Sequence, residues 1–209
     1  MFVCLVIATT VITAGNFSLS RELLQKAERK YGKDAYNRLL AWEELIRQDR
    51  STNDRAKMER VNIFFNTKIR FANDDQVWGT KDYWATPIEF LCKSAGDCED
   101  FAIAKYFTLK AMGISDEKLK ITYVKSIQYN IHHMVLTYYS TPEAEPLVLD
   151  NLVDSINPAS RRTDLFPIFS FNGSGLWMAK QRGQGKMAGS SNRIRLWQDL
   201  LQKMSENSL

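Results

Sequence analysis

The stretch from Asp97 to Gly113, DCEDFAIAKYFTLKAMG, places the strongest constraint on how this chain can fold. Its apolar side chains are spread around nearly the whole circumference of a helix, and Gly113 ends the pattern. A helix that is apolar on almost every side is stable only when other elements cover it. The sequence therefore predicts a central, buried helix with the rest of the domain packed around it.

Further helices are predicted before this central one. Apolar residues recur at helical spacing over residues 18–49, with an interruption at Gly32, and again over residues 53–69. Thr86, Pro87 and Glu89 have the pattern of a capping box, which predicts a shorter helix that ends at Gly96. The N-terminal half is therefore expected to be helical.

Strand patterns follow the central helix. Short runs rich in Val, Ile and aromatic residues cover residues 119–128, 132–140, 145–150 and, as a pair joined by a turn at 172–175, residues 165–179. An amphipathic helix is predicted over residues 192–204. Helices followed by antiparallel strands are typical of an α+β fold, in which the buried helix packs on the sheet.

Length and composition limit the classes of protein that fit. A chain of 209 residues and 24.1 kDa, with 44% apolar and 25% charged residues, has room for one domain with a sizeable core. The net charge of +4 is too small and too evenly distributed to indicate a nucleic-acid partner. Three cysteines exclude a disulfide framework, and the two histidines, His132 and His133, are the only source of an imidazole for catalysis.

The first 15 residues, MFVCLVIATTVITAG, form an apolar run followed by small residues. This pattern is typical of a secretory signal peptide, although no Lys or Arg precedes the run; a buried N-terminal strand is the alternative. We expect a signal peptide over residues 1–15 and a single domain over residues 16–209. Removal of the signal would also remove Cys4, and the mature chain would carry no membrane-inserted segment.

Cys98 is the candidate nucleophile because it lies in the first turn of the central helix. A helix N-terminus carries partial positive charge and free N–H groups, which stabilise a thiolate and the oxyanion of an acyl-transfer intermediate. The alternative is an ordinary buried cysteine. The nearby Cys92 is expected to pack on the inner face of its own helix, with its thiol directed away from Cys98.

His133 and Asp150 lie where two neighbouring strands could bring them together. His133 opens one predicted strand and Asp150 ends the next, and adjacent antiparallel strands place side chains next to each other. Together with Cys98 they would form a nucleophile, a general base and an orienting carboxylate. In the alternative interpretation Asp150 only begins a turn.

Three carboxylates, those of Asp97, Glu99 and Asp100, flank the candidate nucleophile. Acidic residues are common in a first helical turn, but without compensation these charges would raise the pKa of the thiol. A hard cation such as Ca²⁺ binds carboxylate oxygens and needs no histidine, whereas zinc fits poorly. The sequence thus predicts a Ca²⁺ site, to which Asp74, Asp75 and Asp82 could add ligands.

Several motifs together resemble a known family. Residues 96–100, Gly-Asp-Cys-Glu-Asp, resemble the G-x-C-x-D helix start of the transglutaminase-like cysteine proteases, whose fold is papain-like. More narrowly, GDCEDFAIAKYFTLKAMGI, HMVLTYY, LVLDNL and NPASRRTDLFPIFSFNGSGLWM are similar to the bacterial transglutaminase-like cysteine proteinases of the LapG type. This resemblance covers roughly residues 20–200.

The resemblance implies a periplasmic, calcium-dependent endopeptidase. Such enzymes cut the N-terminal region of a large surface adhesin, typically at a di-alanine, and thereby promote biofilm dispersal. An inner-membrane receptor for cyclic di-GMP, of the LapD type, sequesters them. Matched to this chain, the family pattern makes Cys98, His133 and Asp150 the catalytic residues and Asp97, Glu99 and Asp100 the calcium ligands. His132 has no catalytic counterpart, and Trp84 is expected to line the cleft or to donate to the oxyanion.

Two other functions remain open at this point. A transglutaminase-like acyltransferase would use the same triad with an amine acceptor, and a non-catalytic binding module would keep the fold without the chemistry. Replacing Cys98 distinguishes an enzyme, which would lose its activity, from a binding module, which would not.

Five basic residues could face an acidic receptor surface or simply be solvated: Arg161, Arg162, Lys180, Arg182 and Lys186.

Overall fold

The computed structural model describes residues 17–48, 53–178 and 185–206. The predicted signal peptide, with Cys4, lies outside these ranges, as do Lys180 and Arg182. Within the described residues, no helix combines the length and the apolar character that a membrane span requires.

The helices form one side of the domain. The described residues contain seven of them: α1 (Arg21–Tyr31), α2 (Lys33–Arg47), α3 (Asp54–Lys68), α4 (Asp74–Val77), α5 (Pro87–Lys93), α6 (Cys98–Ala111) and α7 (Arg195–Ser205). The predicted break at Gly32 is confirmed, because this residue has a φ of +84° between α1 and α2. The capping box at the start of α5 is also confirmed.

The strands form the other side. A short parallel pair consists of β1 (Arg70–Phe71) and β2 (Ala95–Gly96). The main sheet of the described chain is antiparallel and has the order β6-β5-β4-β3-β7-β8-β9. Its strands are β3 (Leu119–Ser126), β4 (Ile131–Tyr138), β5 (Leu147–Leu149), β6 (Asn157–Pro158), β7 (Leu165–Phe171), β8 (Leu176–Met178) and β9 (Met187–Gly189).

The central helix α6 packs as the sequence predicted. It lies between α3 and α5 on one side and strands β3 and β4 on the other. Phe101, Ile103, Tyr106 and Leu109 are each at most 3% exposed, and Thr108 accepts a 2.8 Å hydrogen bond from the indole of Trp42 in α2. The α+β fold, with the buried helix that carries Cys98 packed on an antiparallel sheet, is therefore confirmed.

One local prediction was wrong, and one strand was not predicted. Helix α5 ends at Lys93, with Ser94 in the left-handed conformation, so Gly96 does not terminate it. Gly96 instead lies in β2, where parallel pairing with Phe71 fixes the entry to α6. Strand β9 was not predicted, because Met187–Gly189 lies in a polar, glycine-rich stretch that lacks strand propensity.

The capping box at the start of α5 predicts a measurable contribution to stability. Thr86 is 4% exposed, and its Oγ1 accepts a 3.1 Å hydrogen bond from the N–H of Glu89, while Glu89 accepts one of 2.8 Å from the N–H of Thr86. Thr86→Ala should lower the free energy of unfolding by about 1 kcal/mol. Thr86→Ser keeps the hydroxyl and should restore most of this loss.

The exposed Thr80 offers a matched control for this measurement. Thr80→Ala should leave the urea unfolding midpoint unchanged. Equal midpoints for Thr86→Ala and Thr80→Ala would contradict a stabilising role for the capping box.

Candidate active site

Cys98 is the first residue of α6, and Gly96 determines how the chain approaches it. A Cβ atom added to Gly96 would lie 2.3 Å from Oδ2 of Asp100 and 2.7 Å from the ring of Phe90. Only glycine therefore lets β2 pass between these side chains. The N-terminus of α6, with the N–H of Cys98, opens into a cleft of about 450 Å³.

The predicted nucleophile and base line the same cleft. Cys98 and His133 both contribute to its wall, and the backbone N–H of Met134, next to His133, donates to the thiol of Cys98. This proximity arises because α6 packs against β4, the strand that carries His133. The structure thus brings together a thiol and an imidazole that are 35 positions apart in the sequence.

His133 and Asp150 form a buried pair. Nε2 of His133 lies 2.7 Å from Oδ1 of Asp150, and their side chains are 2% and 0% exposed. Burial alone would raise the pKa of Asp150, but hydrogen bonds from His133, the N–H of Leu152 and Arg162 lower it to about 2. Asp150 is therefore an anion, Nε2 of His133 donates to it, and Nδ1 is the ring nitrogen that can accept a proton.

The other two aromatic candidates also line the cleft. His132 is exposed, and its ring stacks on Tyr123 with centroids 5.2 Å apart, so it does not share the surroundings of His133. Trp84 is 6% exposed and stacks on Phe171. Its side chain hydrogen-bonds to the carboxylate of Asp82, which engages the indole N–H that an oxyanion would need.

The thiol of Cys98 has an acidic neighbour. Its Sγ lies 2.9 Å from Oε2 of Glu99 and donates to it. Burial of the thiol, the negative charge of Glu99 and this hydrogen bond raise the pKa of Cys98 well above its usual value. These neighbours favour the neutral thiol of Cys98 over its thiolate.

The predicted acidic cluster is larger than the three residues that flank Cys98. Carboxylate oxygens of Asp74, Asp97 and Asp100 lie within 4.8 Å of one another, and so do those of Asp74, Asp82 and Glu99. Asp74 and Asp82, which the sequence suggested only loosely, thus join the cluster. Asp75 is exposed and does not belong to these groups.

The oxygens of this cluster have the character of ligands for a hard cation. Within the described part of the chain, no hydrogen-bond donor reaches Oδ1 of Asp74, Oδ1 of Asp97 or Oδ2 of Asp100, although all three atoms are buried. Burial and mutual repulsion raise the pKa of Asp74 to about 6 and those of Asp97 and Asp100 well above the usual range. Buried, unpartnered carboxylate oxygens from separate segments fit a bound Ca²⁺.

The remaining thiol of the described chain plays no part in the site. Cys92 and Cys98 are both free, and Cys92 is buried at 3% exposure in α5. Burial raises the pKa of Cys92 to about 11, so it is an unreactive core residue. The expected packing of Cys92 on the inner face of its helix is confirmed, and the structure forms no disulfide between Cys92 and Cys98.

Two buried basic side chains beside Asp150 were missed by the sequence interpretation. Arg162 is 5% exposed and lies 2.7 Å from Oδ2 of Asp150, so it cannot belong to a basic receptor-binding surface. Nζ of Lys105, at 1% exposure, donates to Oδ1 of Asn62 and to the carbonyl oxygen of Asp150. For Lys105, the available sequence signal was a lysine in the middle of the predicted buried helix.

Comparisons with known proteins agree with this arrangement. Residues 41–170 match the family model described as bacterial transglutaminase-like cysteine proteinase, BTLCP. Among solved structures, calcium-bound LapG from Legionella pneumophila is 44% identical, with a TM-score of 0.75 over 89% of this chain and 99% of that one. EGTA-treated LapG from the same organism is 44% identical, with a TM-score of 0.78 over 89% and 98%. A search of curated proteins gave no significant match.

The contact between Cys98 and Glu99 predicts how the thiol reacts without metal. In the presence of EGTA, Glu99→Gln removes a negative charge and a strong acceptor, so it should speed alkylation of Cys98 by iodoacetamide at pH 8 by roughly tenfold. Peptide mass mapping separates the modification of Cys98 from that of other cysteines.

Asp75→Asn is the matched control, because it removes a nearby exposed carboxylate outside the cluster. It should leave the rate of alkylation unchanged. An equal rate for Glu99→Gln and the unsubstituted protein would show that Glu99 does not hold the thiol.

Proposed function

The chain belongs to the bacterial transglutaminase-like cysteine proteinases, and we propose that Cys98, His133 and Asp150 carry out its peptide-bond cleavage. The observation that carries this proposal is the buried His133–Asp150 pair, whose imidazole lines the cleft that also holds Cys98 at a helix N-terminus. A thiol, a base with one free ring nitrogen and an ionised orienting acid are the parts that thiol-dependent acyl transfer requires.

In the first half of the reaction, Nδ1 of His133 accepts the thiol proton and Sγ of Cys98 attacks the scissile carbonyl carbon. The oxyanion forms next to the N-terminus of α6, where the N–H of Cys98 and the helix dipole stabilise it. Asp150 accepts the hydrogen bond from Nε2 and stabilises the imidazolium. His133 then protonates the leaving amine, and a thioester remains on Cys98.

In the second half, His133 takes a proton from water, and the resulting hydroxide attacks the thioester. Collapse of the tetrahedral intermediate that results releases the new carboxyl terminus and the Cys98 thiolate, and the proton held by His133 regenerates the thiol. Water, and not an amine, is the acceptor in a proteinase, so this family assignment favours hydrolysis over the acyltransferase alternative.

We propose that Ca²⁺ is the cofactor, held by Asp74, Asp97, Glu99 and Asp100, with Asp82 at the edge of the cluster. The unpartnered, buried oxygens of Asp74, Asp97 and Asp100 support this assignment, and oxygens of Glu99 and Asp82 lie within 4.8 Å of one of Asp74. When bound, the ion supplies positive charge that offsets the carboxylates beside Cys98. With the ion bound, the carboxylates would hold the start of α4, the loop that carries Asp82 and the start of α6 relative to one another.

The proposed substrate is the N-terminal region of a large surface adhesin, cut at a di-alanine. The cleft around Cys98 is lined by the large side chains of Trp84, Tyr123 and Met134, which favours small residues at the scissile bond. Phe71 and Ile131, both 49% exposed, lie at the same cleft and can contact apolar residues farther along an extended peptide. Cleavage there would release the adhesin and promote biofilm dispersal.

We further propose that the enzyme acts in the periplasm and is sequestered by an inner-membrane receptor for cyclic di-GMP. The apolar run of residues 1–15 supports export. A cation site built from carboxylates is suited to a compartment in which calcium is available. Exposed apolar side chains at the cleft, such as Phe71 and Leu152, offer a surface that a receptor could cover together with the active site.

The proteolytic role predicts a cysteine-dependent cut. With calcium present, the protein should cleave the N-terminal segment of a large repeat adhesin from the same genome at one position. Cys98→Ala should reduce the rate by at least about a thousandfold, because it removes the nucleophile. Gel analysis and mass determination of the products measure both the rate and the site.

Cys92→Ala is the control, since it removes the other described thiol without touching the cleft. It should retain cleavage. Equal cleavage by Cys98→Ala and the unsubstituted protein would contradict the assignment of the nucleophile.

The metal assignment predicts that chelation inactivates the enzyme. Excess EGTA should abolish cleavage and lower the melting temperature, because the carboxylates of the cluster then repel one another. Added calcium should restore both. Asp100→Asn should weaken calcium binding in a calorimetric titration, whereas the exposed Asp75→Asn should not.

Full cleavage in excess EGTA would contradict the proposed calcium dependence, and the protease assignment would still stand. Unchanged calorimetric binding in Asp100→Asn would place the ion elsewhere.

A further inference from the structure

Arg162 is a buried arginine in direct contact with the proposed catalytic acid. It follows the short helical turn Ala159–Arg161 and is 5% exposed. Its Nη2 donates to Oδ2 of Asp150 over 2.7 Å. On its other side, Nε and Nη2 donate to the carboxylate of Asp164 over 2.9 and 2.7 Å. Arg162 therefore links the catalytic acid to a second, partly exposed carboxylate.

The two side-chain oxygens of Asp150 have separate partners. Oδ1 accepts hydrogen bonds from Nε2 of His133 and, over 3.0 Å, from the N–H of Leu152. Oδ2 accepts from Arg162. Because the Asp150 side chain is fully buried, each of these bonds restricts its rotation and replaces lost hydration. Arg162 is thus the group that holds the oxygen that His133 does not contact.

We propose that Arg162 is a positioning residue of the protease, which fixes the carboxylate of Asp150 in the orientation that directs Nδ1 of His133 into the cleft. This inference rests on the proposed role of the His133–Asp150 pair. Arg162 does not touch the reacting atoms, and it acts through Asp150 alone.

The geometry of the contact separates this role from that of an ordinary stabilising ion pair. The contact of Nη2 with both Asp150 and Asp164 fixes the plane of the guanidinium, and therefore the direction from which Oδ2 is held. A flexible lysine ammonium could not fix that direction in the same way.

Loss of Arg162 should impair catalysis more than substrate binding. Without its outer donor, Asp150 can rotate, and the hydrogen bond that selects the tautomer of His133 weakens. Arg162→Gln should therefore lower kcat by about 10- to 100-fold, as the loss of an orienting partner does elsewhere, and leave KM within about twofold. Arg162→Lys should recover only part of kcat.

The neighbouring Arg161 provides a matched control, because it is exposed and lies one position away. Arg161→Gln removes the same charge from the same turn and should keep the unsubstituted kcat and KM. Asp164→Asn tests the proposal with Arg162 still in place. This substitution weakens the ion pair on the outer side of the guanidinium and should lower kcat by a smaller factor than Arg162→Gln. Because Arg162 is retained, the test remains valid if Arg162→Gln folds poorly.

A spectroscopic measurement reads the position of the imidazole without any substrate. The chain has two histidines, so selective ¹⁵N-histidine labelling gives only four ring nitrogens, and His132→Gln identifies those of His133. In the unsubstituted protein, Nε2 of His133 should appear as a protonated nitrogen in a strong hydrogen bond. Arg162→Gln and Arg162→Lys should weaken this signature, and Arg161→Gln should not.

Changes in kcat and in the His133 spectrum, confined to the Arg162 and Asp164 variants, would support the proposal. Unchanged spectra and kcat in Arg162→Lys and Asp164→Asn, or losses that match a fall in melting temperature alone, would overturn it. If the unsubstituted protein cuts no adhesin, the proposed substrate fails, while the spectra still test whether Arg162 positions His133.

Discussion

The active site depends on the burial of carboxylates at the N-terminus of the central helix. Asp97 and Asp100 lie at the start of α6 and Asp74 at the start of α4, and the three carboxylates place oxygens within 4.8 Å of one another. Burial and mutual repulsion raise the pKa values of these three carboxyl groups, and the negative charge of Glu99 together with burial raises the pKa of the Cys98 thiol. The same packing that positions the nucleophile therefore opposes its ionisation until positive charge is supplied.

The two ends of the proposed triad are thus controlled in opposite ways. Asp150 is buried, but hydrogen bonds from His133, Leu152 and Arg162 keep its carboxylate ionised. The carboxylate is therefore already in the charged form that orients His133. The thiol end lacks such compensation within the described chain. A protease built this way has a preformed base and acid, and its thiol lies beside carboxylates whose negative charge a bound cation would offset.

Much of this arrangement could be predicted from the sequence. The apolar circumference of residues 97–113 predicted the central helix, and the helix start around Cys98, together with the scarcity of histidine, led to the site. Asp74 and Asp82 were harder to place, because an irregular loop carries no periodic pattern that fixes the direction of a side chain. Arg162 was assigned to the surface for a similar reason: a basic pair in a turn does not reveal that one member folds inward onto Asp150.

The most direct test is the pKa of the Cys98 thiol with and without calcium, measured by thiolate absorbance in a chain in which Cys4 and Cys92 are replaced by serine. A cation held by the buried carboxylates should lower the pKa of Cys98 markedly relative to the value in EGTA, because it offsets the charge beside the sulfur. An identical pKa in calcium and in EGTA would contradict the account, since the ion would then act elsewhere.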